Sequence, residues 1–318
     1  MTERDITLVE TKLHAPRRRR GVVERGRLTT RTVGRDRPAL TLVSAPAGFG
    51  KTTLLTDLFV GEEAKDQALA WLSLDAGDND PRRFWSYVIA AIQTAAPEAG
   101  ETASAMLRSD KSGLEPVVAT LVNDLDVLPM NLVLVLDDYH VIDTAEIHET
   151  VAFLLEHVPP QVHLAMASRS DPPLPLARLR ARGELLEIRA ADLRFTIDEA
   201  SAYFRDSMGL DLAEDDVRAL ESRTEGWIAA LQLAALSLQG RDDIATFIAN
   251  FTGDDRFVVD YLAEEVLERQ PDDVRDFLLQ TSILGRLTAS LCDAVTGSTS
   301  SKAMLESLER ANLFVVPL

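Results

Sequence analysis

The residues whose types and spacing most directly imply chemistry run from Ala45 to Thr53, reading Ala45-Pro46-Ala47-Gly48-Phe49-Gly50-Lys51-Thr52-Thr53. An apolar run, Ala39 to Val43, precedes them and the helix-like Leu54 to Phe59 follows. Strand, Gly-rich loop, Gly-Lys-Thr and helix is the setting a phosphate-binding P-loop requires. Gly48 and Gly50 let the backbone turn so that successive N–H groups face phosphate oxygens. The new helix adds its positive N-terminal end. Lys51 is placed to reach the β- and γ-phosphates, and the Thr52 hydroxyl to ligate Mg²⁺. The strict motif opens with Gly where this chain has Ala45, a methyl that is compatible if the residue stays extended. The alternative, an ordinary Gly-rich turn before a helix, does not require this full context.

Asp137 and Asp138 end the apolar strand Asn131 to Leu136, at the Walker B position. Mg²⁺ is a hard ion that keeps most of its waters. Asp137 is expected to hold it through water, and Asp138 to act as general base on the attacking water. Alone, an Asp pair at a strand end reads as a solvated turn; the P-loop upstream favours the functional reading. Arg169 follows the next strand. In the P-loop branch with an acidic base beside the Walker B carboxylate, that strand inserts between the P-loop and Walker B strands. Arg169 then faces the γ-phosphate and can report its presence; a surface salt bridge is the alternative.

The elements that must position these residues alternate. Ala68 to Leu74 is a buried strand, and Asp80-Pro81 opens a helix with Phe84, Trp85, Val88, Ile89 and Ile92 at helical spacing. Pro97 to Gly113 reads as a loop with weak helical character, and Leu114 to Leu128 as a helix. Ile147 to His157 is an amphipathic helix, Val162 to Ala167 a buried strand, Leu176 to Arg182 a short helix ended by Gly183, and Glu184 to Ile188 a fifth strand. This is an α/β doubly wound pattern with a parallel sheet. Beyond Arg189 it becomes helical. Thr196 and Glu199 form a capping box, and helices follow at about 197–208, 213–223, 226–239, 242–251, 257–269, 272–281 and 300–311. The next expected strand is Leu313 to Val316, and a chain stopping at Leu318 is expected to stop inside a domain.

With 318 residues the chain is long enough for two or three domains. Its single cysteine, Cys292, excludes a disulfide framework and fits a reducing cytosol. There is no apolar leader and no stretch long enough to span a bilayer, so a cytoplasmic protein is expected. The net charge is −18. Met1 to Leu40 carries eleven Lys/Arg against five Asp/Glu, or +6, which leaves −24 on the remainder. An acidic body is a poor electrostatic partner for duplex nucleic acid. The run Arg17 to Arg20 reads as a solvated face, a nucleic-acid arm or a set of charges near bound nucleotide. The five histidines lack metal-ligand spacing.

Several strings together resemble one family: Ala45 to Thr53, Trp71 to Asp75 with Asp78 to Pro81, Leu134 to His140, Ser168 to Pro173, Ala177 to Arg180, Asp192 to Thr196, and Thr224 to Trp227. The chain is similar to the large ATP-binding LuxR-type transcriptional regulators, typified by the maltose-regulon activator. These are signal-transduction ATPases with numerous domains (STAND). The resemblance runs from about Thr11 to the end. It implies a P-loop domain of order 2-3-4-1-5 over 39–190, with a basic segment 1–38 contributing to the pocket. A small helical domain (191–253) and a winged-helix domain (254–318), truncated, would follow. In the family a helical-repeat sensor and a DNA-binding helix-turn-helix come after these.

By position, the resemblance implies nucleotide contacts from Pro46, Ala47, Gly48, Phe49, Gly50, Lys51, Thr52 and Thr53, the last near the α-phosphate. It implies Mg²⁺ held by Thr52 and Asp137, with Asp138 as base and Arg169 as sensor. Gly226-Trp227-Ile228 resembles the Gly-x-Pro motif with which related ATPases hold the nucleotide, with Ile228 in place of proline; Trp227 and Ile228 also read as plain core. Val23 and Arg25 fall where related proteins wrap the adenine. The implied behaviour is a switch: ADP clamped at rest, exchange for ATP under an inducer acting through the sensor, self-association, then slow hydrolysis. Two other readings stay open, a continuously cycling ATPase or kinase and a scaffold that binds nucleotide without hydrolysing it.

Overall fold

The computed structural model describes residues 8–17, 21–32, 38–60, 67–109, 113–239, 244, 247–248, 251, 256–268, 270–311 and 313. The chain divides into two compact units. The first comprises Met1–Arg19, Arg25–Ser44 and Lys51–Asp192; the second comprises Arg20–Glu24, Ala45–Gly50 and Leu193–Leu318.

The first unit is built on five parallel strands: β1 (Leu40–Ser44), β2 (Gln67–Ser73), β3 (Asn131–Asp137), β4 (Val162–Ser168) and β5 (Leu185–Arg189). Their order is β2-β3-β4-β1-β5, as the sequence reading expects. The central strands β1, β3 and β4 are largely apolar, the pattern of a sheet buried on both faces, while the edge strands β2 and β5 are only partly buried. β4 is buried along its whole length, and β3 at every position but its first. Helices α1 (Gly26–Thr32), α2 (Lys51–Val60), α3 (Pro81–Ala95), α4 (Glu101–Arg108), α5 (Leu114–Asp126), α6 (Ala145–Glu156) and α7 (Leu176–Arg182) connect them. Asp80 caps α3, accepting from the Arg83 amide, and Pro81 takes the first position. Phe84 and Trp85 are fully buried, and the Trp85 indole donates to Thr150 Oγ1 on α6 at 2.9 Å. α4 is a full helix where the sequence reads as a loop of weak helical character. Only Ala103 and Leu107 of it are buried, too narrow an apolar face to stand out.

The N-terminal segment is pinned to this unit by charge. Lys12, in a short turn at Glu10–Leu13, bonds the carboxylates of Asp75 and Asp78. Asp78 is wholly buried, and Arg83 Nε sits 3.4 Å from its other oxygen.

The chain leaves the sheet through α8 (Ala190–Leu193). The second unit contains α9 (Ile197–Ala202), continued by a π-turn at Tyr203–Ser207, then α10 (Glu214–Thr224) and α11 (Ile228–Leu238). Next come α12 (Arg256–Leu262) with a π-turn at Ala263–Leu267, α13 (Asp272–Thr281), α14 (Ala289–Thr296) and α15 (Ser301–Arg310). Thr196 and Glu199 make the reciprocal capping box that opens α9. One core gathers Phe195, Phe204, Val217, Leu220, Leu231 and Leu238, and a smaller one gathers Phe277, Cys292 and Leu308. α14 is not anticipated by the sequence reading. The expected strand at 313–316, the helix at 242–251 and the arginines 18–20 fall wholly or mostly outside the described residues. Among the described residues no helix is long and apolar enough to cross a membrane.

Candidate nucleotide-binding site

The sheet order places β4 between β1 and β3, so the C-terminal ends of these three strands are neighbours. Ser44 pairs with Ser168 in register, and Leu136 with Met166. The P-loop leaves β1, Arg169 follows β4, and Asp137 ends β3. Lys51 and Thr52 open α2. The Thr52 hydroxyl donates to Asp137 Oδ1 at 3.0 Å, bringing together the two oxygens expected to hold Mg²⁺. Two hard oxygen donors with no soft ligand nearby suit that ion. Among the described residues no group of three His, Cys, Asp or Glu side chains could cage a metal. An ion here would complete its shell with water and phosphate oxygens.

Electrostatics at this point are those of a site built for charge. Lys51 is 7% exposed. Burial, and then the positive charge of Arg169, push its pKa down to about 8, against the pull of Asp138 and Asp137. Burial, then the charge of Asp138, push Asp137 up to about 6, opposed by the Thr52 hydrogen bond and by Lys51. Positive charge from Lys51 and Arg169 favours a bound anion here, and a divalent cation would relieve the crowded carboxylates. Asp138 is half-buried and has a left-handed backbone, φ 59°, uncommon for a residue with a side chain. Its amide donates to Asp137 Oδ1 at 3.1 Å, and His140 Nδ1 lies 3.8 Å from its carboxylate.

The loop carrying Arg169 is fixed from both sides. Asp171 accepts from Ser44 Oγ at 3.0 Å and from both terminal nitrogens of Arg189, one of them at 3.1 Å. It thereby ties the loop to the last residues of β1 and β5. Arg189 also pairs with Glu187, whose carboxyl Arg180 and Arg189 hold down at about 2.

Within the second unit, the loop Ala45–Gly50 packs on the start of α11. The Trp227 indole donates to the Ala47 carbonyl, and the Ala229 amide to the Gly48 carbonyl, each at 3.2 Å. The Phe49 and Trp227 rings lie 6.4 Å apart. Gly48 is left-handed, φ +74°, and a Cβ there would come within 2.6 Å of the Ala229 methyl. Ala45 is fully buried and is not among the residues of positive φ. Gly226 has φ +69°, and a Cβ there would lie 2.5 Å from the Phe195 carbonyl. This glycine is therefore required by packing, whatever else it touches. Ile228 opens α11 and packs on the helical core with Val23. Arg25 belongs to the first unit and donates to the Asp192 carbonyl at 3.4 Å. Thr53 is exposed on α2.

The chain is 38% identical over 312 residues to the HTH-type transcriptional regulator MalT of Yersinia enterocolitica, covering 97% of this chain and 34% of that protein. For MalT of Klebsiella pneumoniae the identity is 37% over 311 residues, with the same coverage. The chain is homologous to the MalT-type transcriptional regulators. It spans about a third of the length of these relatives. The family model "MalT winged helix domain" matches residues 263–318. The chain is also similar to the serine/threonine-protein kinase PknK of Mycobacterium tuberculosis, at 35% identity over 92% of this chain and 27% of that protein. Among solved structures it is similar to Cdc6p from Pyrobaculum aerophilum, with a TM-score of 0.48 and 16% identity over 96% of this chain and 90% of that one.

The strings that carry the resemblance divide into those that reach the strand ends and those that brace them. Thr52 and Asp137 meet, and Arg169 acts electrostatically on Lys51. Asn79 is a brace: its amide oxygen accepts from the Asp143 amide at 2.8 Å, and its nitrogen donates to the Val141 carbonyl at 2.7 Å. It thereby pins the segment that follows Asp138. Sequence reasoning gave no role to Asn79, Asp171 or the Trp227 indole. Their sequence signals are membership of the strings Asp78 to Pro81, Ser168 to Pro173 and Thr224 to Trp227 and, for Trp227, the middle position of the segment that resembles Gly-x-Pro.

Proposed function

We propose that this chain is the nucleotide-binding switch module of a LuxR-type transcriptional regulator. ADP is held at rest, ATP replaces it under an inducing signal, the ATP form self-associates, and slow hydrolysis resets it. The observation that carries this reading is the hydrogen bond from Thr52 to Asp137 beside buried Lys51. It joins the P-loop helix to the Walker B strand as Mg·nucleotide binding needs. Lys51 would neutralise the β- and γ-phosphates, Thr52 and Asp137 would hold Mg²⁺, and Asp138 would take the proton of the attacking water. Bound Mg²⁺ supplies charge neutralisation on the phosphates. Arg169 would sense the γ-phosphate. The segment 39–190 serves as nucleotide-binding domain, 191–253 as helical domain and 254–318 as winged-helix domain. DNA contact and inducer sensing belong to segments beyond this chain, and the module works in the cytoplasm.

The similarity to a protein kinase does not favour phosphotransfer. A common segment of some 300 residues in regulators and in a kinase supplies what both share, and a nucleotide switch is such a function. The test is to purify the chain, denature it and identify the released nucleotide by mass. Stoichiometric ADP is expected. Lys51→Ala should lose it, whereas Asp138→Asn should retain it and slow single-turnover hydrolysis by about a hundredfold or more. Nucleotide-free protein with only millimolar affinity for ADP would overturn the reading.

A further inference from the structure

Trp227 sits 180 residues from the P-loop in sequence, yet its indole N–H is hydrogen-bonded to the loop's backbone. Two successive carbonyls of the loop are engaged by the start of α11: Ala47 by the indole and Gly48 by the Ala229 amide. In a trans peptide the carbonyl of one residue and the N–H of the next point in opposite directions across one rigid plane. Fixing the Ala47 carbonyl therefore fixes the Gly48 N–H, and fixing the Gly48 carbonyl fixes the Phe49 N–H. Both amides are aimed away from α11. Phe49 is buried and Gly48 half-buried, and Ala47 and Gly48 form a tight turn after Pro46, so the two peptide planes are set before any anion arrives.

We infer that Trp227 is a positioning residue for phosphate, its indole holding the loop so that the Gly48 and Phe49 amides are aimed at the anion before it arrives. The fit around Gly48 supports this. A Cβ there would meet the Ala229 methyl at 2.6 Å, the Tyr261 hydroxyl at 2.7 Å and the indole nitrogen at 3.0 Å. The carbonyl face of the loop is thus closely packed, leaving little room for the peptide planes to flip. A loop held in this way loses less freedom on binding than a loose one, and affinity rises accordingly.

The inference rests on the nucleotide-binding reading, and its test separates the two. Affinities for Mg·ADP and for pyrophosphate, which lacks a base, are measured by calorimetry on the wild-type chain and on Trp227→Phe. That variant keeps an aromatic ring and removes the donor. Both affinities should fall by about three- to tenfold as the loop loses its pre-organisation, while the variant stays folded with at most a small drop in its unfolding midpoint from the lost hydrogen bond. Independently, the wild-type chain labelled with 5-fluorotryptophan has three fluorine signals, from Trp71, Trp85 and Trp227. Pyrophosphate should move the Trp227 signal and leave the two buried core tryptophans in place. Wild-type affinities in Trp227→Phe, a loss matched by loss of folded protein, or a Trp227 signal indifferent to pyrophosphate would overturn the inference alone. A wild-type chain that binds neither ligand would overturn the nucleotide reading beneath it.

Discussion

Asp137 is 3% exposed and has Asp138 as its neighbour, so its carboxylate is held in the folded chain at a penalty. The sign of the pH dependence follows. Its pKa rises from 3.8 in the unfolded chain to about 6 in the fold. Below about pH 4 it is protonated in both states and nothing is lost. Between 4 and 6 the unfolded chain ionises first, so stability falls as pH rises. Above 6 the full penalty stands, on the order of 3 kcal/mol as an upper value. Asp137→Asn is isosteric and can still accept from Thr52. It should stabilise the nucleotide-free chain by about 1–3 kcal/mol at pH 7.5. The advantage should grow from about pH 4 to about pH 6 and then level off, as read by urea unfolding. The same variant should lose the extra thermal stability that Mg·ADP confers on the wild type. A variant less stable than wild type at pH 7.5 would show that the carboxylate is already well compensated. Asp138 carries a second local tension, its left-handed backbone, of the kind that gathers at functional sites. Asn tolerates that conformation almost as well as Asp, which makes Asp138→Asn a test of chemistry with little change in folding.

At the scale of elements, the turn between α10 and α11 is the most constrained point of the second unit. Glu225 and Gly226 are both left-handed, and Gly226 accepts from the Phe195 amide and donates to the Glu221 carbonyl. Gly226→Ala would add a left-handed penalty of about 1–2 kcal/mol, and its methyl would strike the Phe195 carbonyl. We expect a loss of at least about 2 kcal/mol in the second unit, seen as faster hydrogen exchange in α9 to α11, even without nucleotide. Equal exchange in the apo proteins would instead return this glycine to a ligand-only role. The strands, by contrast, were legible in the sequence. β3 is an apolar run from Leu132 to Leu136 and β4 is apolar but for His163 before its last residue, and Asp80-Pro81 and Thr196 with Glu199 announce their helices by capping chemistry. α4 and α14 were not legible, because each spans eight residues and buries two side chains or fewer. The site divides in the same way. Asp137 and Arg169 sit at strand ends, where a run of apolar residues stops, and Lys51 and Thr52 sit in the Gly-Lys-Thr string that opens α2. Trp227 and Asp171 act through hydrogen bonds to partners 180 and 127 residues away, and no periodicity records such a tie.

At the scale of the molecule, charge governs the proposed association. The chain carries −18 overall, with +6 on its first forty residues and −24 on the rest. Two copies meeting through their acidic bodies repel, and the repulsion is long-ranged at low salt because the screening length is about 30 Å at 0.01 M and about 8 Å at 0.15 M. ATP-driven self-association should therefore strengthen as salt rises from 20 to about 300 mM, a range chosen to span those screening lengths. A contact that sets the basic head of one copy on the acidic body of the next would weaken over the same range. Light scattering of the ATP-loaded chain across a salt series reads the sign directly, with ADP-loaded chain as the reference. Asp138→Asn is the variant for this measurement, since slowed hydrolysis keeps ATP in place. We expect larger assemblies with ATP than with ADP at every salt concentration, and the difference to widen with salt. An ATP-loaded chain that stays monomeric throughout would remove self-association from the proposed cycle and leave the module as a nucleotide-stabilised scaffold.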